Sequence, residues 1–238
     1  MDYIKKLKHY LIDTHINSEI FKLNEIEIKT SLEFLDFTEN ILLPDISNYK
    51  CKDEKELVIK KALVYLFVHG IRSYKSALLL FLNGYYTNGM VVVRNLMDVN
   101  FNINYILEDN SESYNRAYTY IDSLSKWTND TIRNIAYISS NSTLYQKYTY
   151  LSDYVHANYL GTSENINKEG KLTIYPTEYK INDGLALNNA VYYYLLETIC
   201  KYFNIDINKR KKVIKTKTFM NYLDEFKKYN FSKRYYEK

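Results

Sequence analysis

From Asp53 to Glu108 apolar residues return at three- and four-residue steps, and the pattern breaks only once, at Asn83-Gly84. Val58, Ala62, Tyr65, Leu66, Val68, Ile71, Tyr74, Leu78 and Leu82 trace one inward face of a helix over Asp53–Leu82. Glycine is the natural left-handed cap for such a helix. The pattern resumes near Tyr86 and runs to Glu108, before the polar break Asp109-Asn110-Ser111. Two long helices joined by so short a turn must lie antiparallel and packed together. A chain built on that hairpin has little room for a sheet architecture. Only 6 Gly and 2 Pro among 238 residues argue the same way, because sandwiches and barrels need many turns. The expected fold is all-α, a multi-helix bundle on a long antiparallel hairpin.

Further helices are expected over Asp2–Ile16, Glu19–Leu42, Ser111–Ile138, Ser142–Tyr159, Leu185–Phe203 and Thr218–Tyr235. The second should stop before Pro44, since a residue preceding proline avoids the α region. In the third, Tyr114, Tyr118, Ile121, Leu124, Trp127 and Ile132 are expected inward. The stretch near 161–184 holds Gly161, Gly170, Pro176 and Gly184 and reads as a short irregular or β-like insertion around KLTIYP. No repeat or linker forces a boundary. A single domain over 1–238 is expected, with N-terminal helices over 1–50, a core bundle over 53–160 and C-terminal helices with a basic tail over 185–238.

Apolar residues make up 46% of the chain, enough for a core. Cys51 and Cys200 form no framework and no metal spacing, and Cys200 sits in an apolar run. The N-terminus, MDYIKKLKHYLIDTH, is amphipathic and charged, unlike a signal peptide. The longest apolar region, Val58–Leu82, is interrupted by Lys60, Lys61, His69, Arg72 and Lys75, so no membrane span is expected. The location implied is cytoplasmic. The 27 tyrosines, with abundant Lys, Asn and Ile, read first as codon bias from an AT-rich genome.

Charge is uneven. Residues 201–238 hold 12 Lys/Arg and 4 Asp/Glu, a local +8, which leaves 20 and 24 for the rest, a local −4. The run 209–217 with Lys209, Arg210, Lys211, Lys212, Lys215 and Lys217 resembles a phosphate-binding patch, although solvated basic helices look alike.

Two constellations carry chemistry. Arg94 shares a helix face with Met90, Val91, Met97, Asp98, Phe101 and Tyr105. A cation on an apolar stripe is costly unless paired, and Asp98 is one turn away. In LSDYVHANYLG, Ser152 and His156 are one turn apart beside the stripe Leu144, Tyr148, Leu151, Val155 and Tyr159. Histidine suits proton transfer near neutral pH. Both groups also fit a purely structural role, as a buried polar network. Asp153 and His156 have a metal-like i, i+3 spacing, but no second such motif exists, so no metal and no cofactor are expected. His69, beside Gly70 on a core helix, reads as packing. Phosphate-loop and hydrolase-elbow motifs are absent.

The stretch SALLLFLNGYYTNGMVVVRNLMDVNFNINYILED, with LSDYVHANYLG after it, resembles an uncharacterised bacterial all-helical family known by a domain-of-unknown-function label. Its pattern is a leucine-rich helix with an arginine and a carboxylate four residues on, then a serine–histidine segment. Arg94, Asp98, Ser152 and His156 match these positions, with Asp98 where glutamate is usual, and the likeness covers residues 58–161. More loosely, the chain resembles the HEPN superfamily (higher eukaryote and prokaryote nucleotide-binding). These helical proteins are often metal-independent ribonucleases of toxin–antitoxin, abortive-infection and CRISPR systems. Arg94-Asn95 fits the start of their signature, but the histidine would fall at Val99, Asn100 or Phe101, and none is histidine.

This resemblance implies an RNA- or nucleotide-directed defence protein with Arg94, Asp98, Ser152 and His156 as its catalytic set. It also implies the 209–217 patch on the nucleic acid, and a homodimer. The alternative is a non-catalytic helical module binding a partner protein or small ligand, with the cluster structural.

Overall fold

The computed structural model describes residues 18–122, 147–152, 178–209 and 216–227. The described residues form eight α-helices, one π-helical turn and one short 3-10 turn, with no strand among them. In chain order the helices are α1 (Ser18–Leu23), α2 (Glu25–Phe37), α3 (Leu43–Asn48), α4 (Glu54–Leu82), α5 (Tyr86–Glu108), α6 (Ser113–Asp122), α7 (Glu178–Tyr202) and α8 (Lys217–Lys227). Residues 147–152 are also helical. The all-α expectation holds. The expected helix Asp2–Ile16 and the KLTIYP stretch lie outside the described residues.

The hairpin follows the apolar periodicity closely. Asp53 caps α4 by accepting from the Glu56 N–H at 2.8 Å. Gly84 ends the helix with φ 80°, the left-handed turn that only glycine adopts without strain. Packing between α4 and α5 is close where Gly70 meets Val99 and Leu96 of α5 and Leu195 of α7. α7 is buried along most of its length, with Leu185, Ala186, Ala190, Tyr192, Leu195, Leu196 and Ile199 fully enclosed. It forms the centre around which α2, α4, α5 and α8 pack.

Three sequence expectations give way. First, the helix reaching Leu42 does not stop at Pro44. The chain makes a π-helical turn over Thr38–Leu42 and continues as α3, with Pro44 in the first turn of that helix. Proline in a helix lacks an N–H and clashes with the carbonyl four residues back. The wider turn, in which the Leu43 N–H reaches back to the Thr38 carbonyl, relieves both problems.

Second, 178–184 is not irregular. α7 begins at Glu178, and Gly184 lies inside it against Phe81 and Tyr86. Glycine is there for close approach, not for a turn.

Third, Tyr65 and Tyr118 point outward, 60% and 48% exposed, although both stood in rows expected inward. The buried face of α4 is carried by Ala62, Leu63, Leu66, Phe67, Gly70, Ile71, Tyr74, Ala77, Leu78 and Phe81, and Tyr65 falls just outside it.

A polar network crosses the core. Asn189 of α7 donates to the Glu27 carboxylate at 2.9 Å and to the Glu27 carbonyl at 3.0 Å. Its own oxygen accepts from Ser31 at 2.7 Å and from Tyr74 at 2.6 Å. Thr216 donates to the other Glu27 oxygen and also caps α8 by accepting from the Phe219 N–H at 3.1 Å. One amide thereby links α2, α4 and α7, and Glu27 extends the link to α8. Tyr74 stacks on Tyr192 with ring centroids 3.9 Å apart, and the Tyr192 and Thr38 hydroxyls lie 2.8 Å apart.

Candidate functional site

Arg94 and Asp98 lie on successive turns of α5, on the side that receives residues 147–152. Both are only partly exposed, with side-chain accessibilities of 21% and 23%. The Arg94 guanidinium is held on three sides. Nη1 reaches Asp98 Oδ2 at 3.2 Å, Nε donates to the Ser152 hydroxyl at 3.1 Å, and Nη2 donates to the Tyr148 hydroxyl at 2.6 Å. It also lies over the Tyr148 ring, 4.6 Å from the centroid. The Ser152 hydroxyl donates in turn to the Tyr148 carbonyl at 2.9 Å. Leu151, fully buried, anchors this short helical stretch, and Tyr148 rests edge-on against Phe101 of α5.

The structure therefore brings together Arg94, Asp98 and Ser152, three of the four residues expected at one site. The fourth, His156, lies outside the described residues. Tyr148, placed by its spacing in an apolar stripe, is in fact a polar member of the cluster. A tyrosine has an apolar body and a polar tip, and periodicity registers only the body.

Asp98 is under electrostatic tension. Burial raises its pKa, while Arg94, a hydrogen bond from Tyr148 and the positive field of His69 pull it down. Among the described residues its buried Oδ1 has no hydrogen-bond partner. An unmatched buried carboxylate oxygen is uncommon and calls for an explanation. The guanidinium carries five N–H groups. Among the described residues one on each terminal nitrogen remains uncommitted.

His69 does not sit where its neighbours suggested. It lies on the exposed side of α4, among the groups that help lower the Asp98 carboxyl on the adjoining helix. The packing role expected of it is overturned, because Gly70, not His69, faces the core.

Of the six basic residues expected on nucleic acid, Lys217 is exposed at the start of α8, and Lys209 ends the 3-10 turn Ile207–Lys209. Arg210, Lys211, Lys212 and Lys215 lie outside the described residues. Residues 147–152 connect toward α8 through Lys147, whose ammonium lies 5.0 Å from the Tyr222 ring centroid. Among the described residues no three His, Cys, Asp or Glu side chains gather as a metal site requires. No helix among them is long and apolar enough to cross a membrane.

No curated protein and no solved structure matches the chain. Residues 60–126, which take in most of α4 and all of α5 and α6 with Arg94 and Asp98, match the model of a family of unknown function (DUF5677).

Proposed function

We propose that this chain is a HEPN-like, RNA- or nucleotide-directed protein of a bacterial defence system, with the Arg94–Asp98–Ser152 cluster as its phosphate-facing centre. One observation carries the reading. Two segments far apart in sequence converge on a partly exposed cluster that, among the described residues, keeps two guanidinium N–H groups and one buried carboxylate oxygen without a partner. A polar tie that served only to hold helices together would be expected to satisfy all its members.

In the ribonuclease form of this reading a 2′-hydroxyl loses its proton and attacks the adjacent phosphate, the P–O5′ bond breaks, and the 5′-oxygen leaves as a protonated hydroxyl, giving a 2′,3′-cyclic phosphate end. His156 exchanges the proton, Arg94 stabilises charge on the phosphorane, and Asp98 orients Arg94. Ser152 and Tyr148 hold the guanidinium plane. The basic residues at 209–217 hold the strand, and the active form is a homodimer in the cytoplasm.

The experiment compares cleavage and binding of labelled RNA by wild type, Arg94→Ala and His156→Ala, with melting temperatures measured alongside. A loss of RNA cleavage or binding in folded variants is the expected result. Equal activity in all three overturns the reading.

A second reading, a non-catalytic module for a partner protein or ligand with a structural cluster, is favoured by the three protein bonds that Arg94 already makes across the α5–147–152 contact. It predicts that Arg94→Ala lowers the melting temperature sharply while leaving every RNA measurement at background.

A further inference from the structure

The outer face of α4 carries Lys61, Tyr65, His69 and Arg72, spaced by four, four and three residues and all exposed. That spacing puts them in one row. At 1.5 Å of rise per residue the row from Lys61 to Arg72 is about 16 Å long. The acidic residues of α4, Glu54 and Glu56, lie before the row begins. Tyr65 is 60% exposed, a large ring in water that packing does not explain. The row does not stand alone. Gly70, next to His69, packs against Leu96 and Val99 of α5, and His69 is among the groups that help lower the Asp98 carboxyl. The exposed row therefore borders the Arg94–Asp98 cluster.

We infer that the outer face of α4 is a track for single-stranded RNA, with Lys61 and Arg72 on the phosphates, Tyr65 stacked on a base and His69 at the junction with the Arg94–Asp98 cluster. This rests on the RNA-directed reading given above and names the form of nucleic acid and its path. Cations interleaved with an exposed aromatic ring match the two elements of single-strand recognition, a positive surface for the backbone and a flat face for the bases. A duplex hides its base faces, so the exposed ring favours an unpaired strand.

The test is fluorescence anisotropy with a labelled oligouridylate and with an RNA duplex of equal length. The proteins are wild type, the double variant Lys61→Gln/Arg72→Gln, Tyr65→Ala and Arg94→Ala. The altered α4 side chains are exposed, and melting temperatures equal to wild type verify the fold. Wild type should prefer the single strand. The double variant should bind about tenfold more weakly, and its log–log salt slope should be shallower by about 1.4, at roughly 0.7 per lost phosphate contact. Tyr65→Ala should lose on the order of tenfold, as expected for one stacked base.

If the α4 variants bind like wild type with an unchanged slope while Arg94→Ala binds less, the strand runs elsewhere. The track is then wrong and the RNA-directed reading stands. Equal binding of duplex and single strand with Tyr65→Ala silent also overturns the track. Wild type that binds neither RNA overturns both, and leaves the row as a surface for a partner protein.

Discussion

Glu27 and Asp98 are carboxylates that the fold has taken out of water. Burial raises the pKa of Glu27, and the hydrogen bonds from Thr216 and Asn189 only partly oppose it. Asp98 is raised in the same way. A raised carboxyl binds its proton more tightly in the folded chain than in the unfolded one. Its contribution to stability is fully present below the unfolded value, near 4.5 for Glu27, and is lost as pH rises through the folded value. The chain should therefore lose stability through these two groups on going from about pH 4, below the unfolded value of Glu27, to about pH 7. Glu27→Gln removes one of them while keeping the shape and an acceptor for Asn189. Urea unfolding midpoints of wild type and Glu27→Gln at the two pH values check this. The variant should fall less, and an identical fall in both would show that Glu27 does not titrate in this range.

At the scale of the element, small residues decide how closely the long helices approach. Phe81 near the end of α4 is clasped by two glycines, Gly89 of α5 and Gly184 of α7. A Cβ at position 184 would lie 2.6 Å from Phe81 Cε1 and 3.1 Å from Tyr86 Cε2. Gly184→Ala should therefore cost about 1–3 kcal/mol through overpacking. That corresponds to roughly 2–10 °C in melting temperature for a chain of this size. Ser76→Ala, on the exposed side of α4, should leave the melting temperature within a degree or so. An unshifted Gly184→Ala would mean that Phe81 can swing away freely. The π-helical turn before Pro44 teaches a related point. A proline forbids the regular helix, yet one widened turn lets the axis continue.

At the scale of the molecule, Asn189 is the joint of the bundle. Replacing it with leucine fills a similar volume but strips Glu27, Ser31 and Tyr74 of a shared partner. Leaving a buried donor or acceptor without its partner costs about 1–3 kcal/mol, because the group stays desolvated. Asn189→Leu should lower the stability measured by chemical denaturation by that order. The double change Glu27→Gln/Asn189→Leu should lose less than the two single changes summed. Strict additivity would show that the two residues do not act together.

The hairpin was readable from sequence because it is a local property. Apolar spacing set Glu54–Leu82 and Tyr86–Glu108 almost to the residue, Gly84 marked the turn, and the four-residue step from Arg94 to Asp98 already implied their pairing. Ser152 was placed in the same site by family likeness, and the helices do bring it to Arg94. Other features depend on which helix lies against which. Periodicity could not tell that Tyr65 and His69 face solvent, that Tyr148 turns its hydroxyl to Arg94, or that Asn189 meets Glu27 across 162 residues of chain. Spacing reports how side chains are distributed around one axis. The rim of each buried face, and the partners of every polar atom within it, are set only when a second axis packs alongside.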